Sequence, residues 1–290
     1  MNFNTIFAPM IFEETARAVA ESAMLMAAPE GGHVIGKHIR HMHHYYPPIT
    51  YGPSVSLAPG SFEYAMKEAA IAFAEAQKSL FDEICEDAGA KRVSVHDAPD
   101  EHGITASWVD EEGNIPGGMG RSARVADLSI ACVPGKEGGS REIDLIENLL
   151  VSSGKPVLLV PRTGLTSYPS NILVCWDGSR SGARALEASL PILKAATSVR
   201  MITLNYVDFD TPELEEAVSF LKMHGVSAIA EPITKVKGSV AKRILNEATN
   251  HDVDLIVMGG YSHRRFDEAI FGGVTRHILD HSDRALLMAH

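Results

Sequence analysis

Continuous apolar runs alternate along this chain with segments of helical periodicity, and this alternation restricts the fold more than any other feature. Strands without intervening polar residues are typical of parallel sheets that are covered by helices on both faces. The sequence therefore predicts an α/β protein with a doubly wound parallel sheet. In such a sheet, ligands bind outside the carboxyl ends of the strands, where the strand order reverses.

The C-terminal half shows this alternation most clearly. Helices are predicted at about 180–196, from Pro212 to Gly225, after a Ser239 cap and from Arg276. The predicted strands are 171–177, 199–207, 227–233, 254–258 and 283–289. Because Asp177 ends the first strand and a glycine-marked loop follows the fourth, we expect both at one edge of the sheet.

The N-terminal half repeats this plan weakly. Its segment 125–133 resembles 253–258, and strands at Thr5–Pro9 and 155–161 correspond to the first and last strands of the other half. A turn-rich linker at 162–170 separates the halves, which predicts two domains, 1–165 and 170–290. The first domain should also contain a strand at 31–39, a long helix at 61–87 and insertions around 40–60 and 99–121.

Charge and cysteine content narrow the functional classes. The 290 residues carry a net charge of −11, which argues against general nucleic-acid binding because that requires a basic face. None of the three cysteines lies in a CxxC pair, and the apolar runs around Cys132 and Cys175 favour core packing. We expect a cytoplasmic protein, since no signal peptide and no apolar run of membrane-spanning length is recognisable.

A glycine-marked loop from Gly259 to Thr275 lies between the fourth strand and the last helix of the C-terminal half. Glycines let the backbone approach a ligand, and the free N–H groups of a helix N-terminus attract anions. His263, Arg264 and Arg265 add cationic donors. The pattern favours a ligand with phosphates, although the spacing equally allows glycines that only turn the chain and start the helix.

Three segments of the C-terminal half resemble the universal stress protein (UspA) family. They are Trp176-Asp177-Gly178-Ser179, Met258-Gly259-Gly260-Tyr261-Ser262-His263 and Phe271-Gly272-Gly273-Val274-Thr275-Arg276-His277. The resemblance covers essentially all of 170–290, and the N-terminal half is similar to a degenerate second copy. It implies a tandem universal stress protein with a doubly wound five-stranded parallel sheet in each half.

Many members of this family bind ATP with a loop of pattern G-x2-G-x9-G-(S/T). The chain keeps the first and third glycines, as Gly259 and Gly272. Ser262 replaces the second glycine and adds a Cβ where the family backbone contacts phosphate. Gly273 replaces the following Ser or Thr, so that Thr275 is the nearest hydroxyl. The resemblance implies ATP, with Mg²⁺, as the ligand, and these two departures leave its binding open.

The resemblance also implies roles for the residues around the loop. Asp177 would accept hydrogen bonds from the adenine or ribose, and Val207 would form an apolar wall for the base. Without a ligand, Asp177 would be a turn residue and Val207 a core residue. The full predicted cofactor-binding set is Asp177, Val207, Met258, Gly259, Ser262, His263, Arg264, Gly272, Gly273, Val274 and Thr275. No catalytic or metal-ligating residue is assigned.

Family members commonly dimerise by pairing their last strands edge to edge. In this chain Val157–Val160 and Leu286–Ala289 could pair intramolecularly as a pseudo-dimer, which would protect two apolar edges; further assembly into a homodimer stays open. The N-terminal half has a shorter loop at 134–141, and Pro9-Met10 stands where the other half has Trp176-Asp177. We therefore expect no ATP site of the family type in that half.

A dense histidine group lies at His38, His41, His43 and His44. Two imidazoles with a nearby carboxylate could bind zinc. However, no cysteine lies nearby, and the composition favours a solvated or ligand-facing loop.

The sequence contains no Walker A, GxSxG or HExxH motif and no obvious pair of nucleophile and base. The leading hypothesis is an ATP-binding sensor or regulator of stress survival, a role that comes from the resemblance alone, with at most slow hydrolysis. Two alternatives stay open. One is a module that binds a protein or apolar ligand through the insertions around 40–60 and 99–121, and the other is a weak ATPase.

Overall fold

The computed structural model describes residues 3–40, 59–94, 103–135, 139–205, 212–234, 238–260 and 272–290. Its strands are β1 (Thr5–Pro9), β2 (His33–Arg40), β3 (Lys91–Arg92), β4 (Thr105–Glu112), β5 (Leu128–Cys132), β6 (Val157–Val160), β7 (Asn171–Cys175), β8 (Ser198–Asn205), β9 (Ile229–Thr234), β10 (Leu255–Gly259) and β11 (Ala285–Ala289).

The helices alternate with these strands. They are α1 (Glu13–Ala27), α2 (Pro59–Asp87), α3 (Ile115–Ala123), α4 (Ser140–Glu147), α5 (Arg180–Ala195), α6 (Pro212–Met223), α7 (Val240–Asn250) and α8 (Gly273–His281). A π-helical turn at Asn148–Ser152 continues α4. The predicted α/β class is therefore confirmed. No helix among the described residues is both long and apolar enough to cross a membrane.

The strands form one sheet in the order β3-β4-β2-β1-β5-β6-β11-β10-β7-β8-β9. Strands β4-β2-β1-β5-β6 follow the same winding as β9-β8-β7-β10-β11, and every pairing within each half is parallel. The sequence predicts a five-stranded sheet in each half with the last strands paired, and the structure joins the two halves into one eleven-stranded sheet through β6 and β11. The eleventh strand is the two-residue β3, an edge strand that the sequence does not predict.

The two halves meet through β6 and β11, which pair antiparallel. Leu158 lies opposite Leu287 and Val157 lies opposite Met288, and all four side chains are fully buried. The predicted pairing of these last strands within one chain is therefore confirmed. Because β6 already occupies the free edge of β11, that edge is not available to a second copy.

Both faces of the sheet are buried against helices. In β11, Leu287 packs in the core formed with α1, α2, α5 and α6, whereas Leu286 and Met288 pack in the core formed with α3, α4, α7 and α8. Adjacent side chains of a strand point to opposite faces, so a strand covered on both faces must be apolar throughout. This requirement explains the continuous apolar runs of the sequence, and each core extends through both halves.

A matching aspartate in each half joins the start of its first strand to its fourth strand. The Asp127 carboxylate accepts from the Thr5 amide at 3.0 Å. The Asp254 carboxylate accepts from the Ser170 and Asn171 amides at 2.9 and 2.8 Å. The weak sequence repeat around these two aspartates thus corresponds to one repeated hydrogen-bonding arrangement at the amino ends of the strands.

The predicted insertion at 99–121 is wrong where the structure describes that stretch. Residues Thr105–Glu112 form β4, which pairs along the whole length of β2, and Ile115–Ala123 form α3. The last three residues of β4 are acidic because their partners on β2 are basic: Arg40 pairs with Asp110 and Glu112, and Lys37 pairs with Glu111. The alternative in which this stretch binds a protein or an apolar ligand stays a prediction.

His33 should make the stability of the protein fall with pH below about 6.5. Its two ring nitrogens lie 2.9 Å from the Thr105 and Ser107 hydroxyls, and burial, followed by the Arg92 charge, lowers its pKa from 6.5. The unfolded chain therefore binds a proton that the folded chain rejects, so stability falls as the pH drops below about 6.5. In urea titrations across this range, His33→Asn should show a flatter pH dependence than the natural protein; an equal slope would contradict this.

The three cysteine thiols should be unreactive in the native protein. Burial raises the pKa of Cys132 and of Cys175 to about 12, and it also raises the pKa of Cys85. Because the thiolate is the reactive form, only about one in 10⁴ molecules of a thiol with that pKa is reactive at pH 8. An aromatic disulfide reagent should titrate no thiol before denaturation and all three after it. Rapid native labelling would contradict the burial.

Candidate functional site

The strand order of the C-terminal half reverses between β7 and β10. From β7 the chain runs outward to β8 and β9, and it then returns to β10 and β11 on the other side of β7. The connections therefore leave β7 and β10 in opposite directions and open a crevice at their carboxyl ends. Cys175 ends β7 and Gly259 ends β10, so the crevice lies between the segments that follow them.

Asp177 shapes the first wall of this crevice. It is exposed, and its Oδ1 accepts from the Ser179 amide at 3.0 Å. Ser179 then caps α5, since its Oγ accepts from the Gly182 amide at 2.9 Å and lies 3.1 Å from the Ser181 hydroxyl. One carboxylate oxygen of Asp177 therefore has the predicted turn role. Because the side chain is exposed, the carboxylate is also accessible to a ligand.

Two glycines let α5 begin directly against the end of β10. A Cβ on Gly259 would lie 2.5 Å from the Gly182 amide nitrogen and 2.8 Å from the Ser181 hydroxyl oxygen. A Cβ on Gly182 would lie 2.6 Å from the Asp177 Oδ1 atom. Gly182 is missing from the predicted set because its contact with Gly259 joins segments that are far apart in the sequence. No local sequence pattern marks it.

The N-terminus of α8 lies at the carboxyl edge of the sheet, because α8 connects β10 to the parallel strand β11. Its N-cap is Gly272, which has no side chain to accept from the first N–H groups, and no acidic residue lies in its first turn. Gly272, Gly273 and Val274 are exposed, whereas Thr275 is buried. Among the described residues, a Cβ on either glycine would meet no atom within 4 Å. Within this part of the chain, the helix end is therefore open, and its first turn carries no carboxylate.

The other predicted residues divide into two groups. Met258 is buried in β10 and packs in the core with the helices α3, α4, α7 and α8. Val207, Ser262, His263 and Arg264 lie outside the described residues. The described part of the predicted set thus consists of Asp177 at the end of β7, Gly259 at the end of β10 and Gly272–Thr275 at the start of α8.

The equivalent crevice of the N-terminal half carries different charges. The helix α1 begins with Glu13 and Glu14 after the uncapped Phe12, and the Arg141 guanidinium lies 5.8 Å from the Phe12 ring centroid. The helix α4 has Glu142 in its first turn, paired with Arg162 at 2.8 Å. Carboxylates at both helix N-termini disfavour a phosphate there.

His38 has a structural counterpart in the other half. Its Nδ1 lies 2.6 Å from the Met10 carbonyl oxygen, and the Thr203 hydroxyl donates to the Trp176 carbonyl oxygen at 3.0 Å. The pairings of β1 with β2 and of β7 with β8 place these two side chains at equivalent positions. His38 therefore fastens the end of β2 to the chain after β1. Its predicted neighbours His41, His43 and His44 lie outside the described residues.

Within the described ranges, no group of three or more histidines, cysteines and carboxylates could hold a metal ion. The fold defines the class: a tandem of two doubly wound α/β halves, of which the C-terminal one has a helix, α8, that begins without a side-chain cap at the carboxyl edge of its sheet.

Residues 169–290 match the model of the Universal stress protein family. The C-terminal half is accordingly a universal stress protein domain, and the whole chain has the fold of a universal stress protein. No curated protein sequence matches the chain.

Two solved structures show the extent of this likeness. A universal stress protein from Archaeoglobus fulgidus DSM 4304 has a TM-score of 0.67 at 17% identity, covering 100% of this chain and 99% of its own. A putative universal stress protein from Pseudomonas aeruginosa UCBPP-PA14 has a TM-score of 0.51 at 12% identity, covering 98% and 92%. The likeness therefore includes both halves, and at these identities it concerns the fold.

Proposed function

We propose that the C-terminal half binds an adenine nucleotide, ATP with Mg²⁺, in the crevice between β7 and β10. The observation that carries this proposal is the open N-terminus of α8, with its exposed and uncapped Gly272. Free N–H groups and the helix dipole there favour the negative charge of phosphates. The match of 169–290 to the Universal stress protein family supports a nucleotide as the ligand of this half, since many members of the family bind ATP.

A comparison with the other helix starts explains why α8 is the best candidate. Asn114 caps α3, Ser179 caps α5 and Ser239 caps α7, each by accepting from a backbone N–H of its own helix. The uncapped starts of α1 and α4 carry acidic residues in their first turns. Among the helix starts whose caps the structure describes, α8 alone combines no side-chain cap with a first turn free of acidic residues.

Asp177 would bind the other end of the nucleotide. Its exposed carboxylate can accept from the adenine amine or from a ribose hydroxyl, while the Ser179 amide fixes its orientation through Oδ1. In this proposal, Val207, Ser262, His263 and Arg264 complete the site. Ser262 and Gly273 would set the affinity, because they replace the family's phosphate-contacting glycine and hydroxyl.

Nucleotide occupancy would make the protein a sensor or regulator in a stress response, with hydrolysis slow at most. The protein would act in the cytoplasm, where ATP is available. All three cysteines are free, which suits that reducing compartment.

The experiment that tests the proposal is isothermal titration with ATP and Mg²⁺, using the natural protein and Asp177→Asn. Asparagine keeps an oxygen that can accept from the Ser179 amide, so the turn should survive while the carboxylate is lost. We expect binding at one site per chain and a loss of about tenfold in the variant. Absence of binding by the natural protein would refute the proposal.

A fluorescence measurement gives an independent readout. The chain has two tryptophans, and Trp176 directly precedes Asp177. In a Trp108→Phe variant, the remaining emission comes from Trp176 alone, and nucleotide binding at the crevice should change it. Binding without any change in this emission would place the nucleotide elsewhere.

A further inference from the structure

The last turns of α8 carry two histidines spaced four residues apart, His277 and His281. Their rings are stacked, with centroids 4.1 Å apart and an interplanar angle of 17°. His277 is half-buried and His281 is exposed. We propose that these two imidazoles form a binding site for a borderline divalent transition-metal ion, for which Zn²⁺ is the probe.

A hydrogen bond fixes the tautomer of one ligand. The His281 Nδ1 lies 2.9 Å from the His277 carbonyl oxygen. A carbonyl oxygen can only accept, so Nδ1 carries the proton in the neutral ring and Nε2 keeps its lone pair. A carbonyl that accepts from the second ring nitrogen is the usual support of a metal-binding histidine, because it orients the ring and raises its basicity.

The spacing and the ring separation suit a shared ion. Residues four apart lie on the same side of a helix, one turn from each other, as in helical motifs that bind zinc through two histidines. A zinc–nitrogen distance of about 2.05 Å places two tetrahedral ligands about 3.3 Å apart. The ring centroids are 4.1 Å apart, so the two imidazoles are close enough to share one ion once they rotate until their lone pairs converge.

The ligand chemistry selects the ion. Imidazole nitrogens suit Zn²⁺, Ni²⁺ and Cu²⁺, whereas Mg²⁺ prefers oxygen. The neighbouring Asp280 carboxylate is already paired with Arg276 at 3.2 Å, so the protein supplies two nitrogens and water completes the coordination. Such a site binds more weakly than one with four protein ligands.

The chain contains a matched control on α6. The His224 Nδ1 lies 2.9 Å from the Phe220 carbonyl oxygen, and the His224 and Phe220 rings have centroids 4.3 Å apart. The backbone contact is therefore the same as on α8, and the rings are similarly close, although they are tilted by 42° where the α8 rings are stacked at 17°. Phenylalanine, however, offers no ligand, so His224 should not form the corresponding site.

The test is calorimetric titration of the full-length protein with Zn²⁺ alone, without nucleotide. With 13 histidines in the chain, the diagnostic quantity is the change in stoichiometry between variants. His277→Ala and His281→Ala should each remove one binding event or weaken it at least about tenfold. His224→Ala should leave the isotherm unchanged, and Phe220→His should add one event.

Titration with Mg²⁺ should show no difference between the natural protein and the α8 variants. Far-UV circular dichroism and thermal unfolding without metal should also match, since both side chains lie at the helix surface. Zn²⁺ stoichiometry and affinity that persist in both His277→Ala and His281→Ala would overturn the proposal. This outcome is separate from the nucleotide proposal, because no nucleotide is present.

Discussion

Replacing Leu287 by aspartate should lower the free energy of unfolding by at least about 4 kcal/mol, because it places a charge where the two halves meet. Leu287 lies opposite Leu158 across the β6–β11 pair, and both are fully buried. They belong to the core shared with α1, α2, α5 and α6, so no water can reach an introduced carboxylate. Guanidinium unfolding followed by far-UV circular dichroism measures the change.

Two further variants separate charge burial from a general sensitivity of β11. Leu287→Met conserves the volume and should cost less than about 1.5 kcal/mol. Leu158→Asp introduces the same charge from the opposite strand and should destabilise the protein as strongly as Leu287→Asp. If either aspartate variant unfolds at the natural midpoint, the two halves do not share a buried junction in solution.

This junction was predictable because its strands are apolar throughout, and the same holds for the C-terminal half as a whole. Where a strand is buried on both faces, its composition shows that environment directly. The sequence predicts an insertion instead of β4 because the end of this strand is charged. Asp110, Glu111 and Glu112 have the composition of a loop, and only their ion pairs with Arg40 and Lys37 on β2 explain them as strand residues.

The glycines of α3 likewise make this helix hard to predict from the sequence. A Cβ on Gly118 would lie 2.5 Å from the Ile39 Cδ1 atom, and one on Gly120 would lie 2.9 Å from the Asn148 carbonyl oxygen. These glycines permit close packing of α3, but glycine lowers helix propensity, so the local sequence argues against a helix. Tertiary contacts therefore determine the structure of this segment.

The residues of the candidate site also differ in whether a local sequence pattern could identify them. The local pattern identified Asp177, Gly259 and Gly272 as residues that follow strands or open a helix. It did not identify Gly182, whose lack of a side chain matters only because α5 begins against β10. Sequence patterns thus indicate which segments surround a crevice, whereas the fit between those segments depends on long-range packing.

Gly272→Asp should abolish ATP binding without destabilising the protein. Among the described residues, no atom lies within 4 Å of an added Cβ at Gly272, and the residue is the N-cap of α8 with φ of −62°, which any amino acid adopts. Aspartate there can accept from the N–H groups of Val274 or Thr275 and should stabilise the helix by about 0.5 kcal/mol. The same carboxylate occupies the proposed phosphate position and repels the nucleotide, so affinity should fall at least about 100-fold.

Gly139→Asp provides the matched control in the other half. Gly139 is the uncapped N-cap of α4, at the position equivalent to Gly272, and an added Cβ there also meets no atom within 4 Å. This variant should retain the ATP affinity of the natural protein, because no nucleotide is proposed at α4. A phosphate contact predicts that Gly272→Asp gains stability but loses ATP affinity, while Gly139→Asp keeps its ATP affinity. A general disturbance of the fold would instead lower both stability and affinity in Gly272→Asp. Undiminished ATP binding by Gly272→Asp would remove α8 from the nucleotide site.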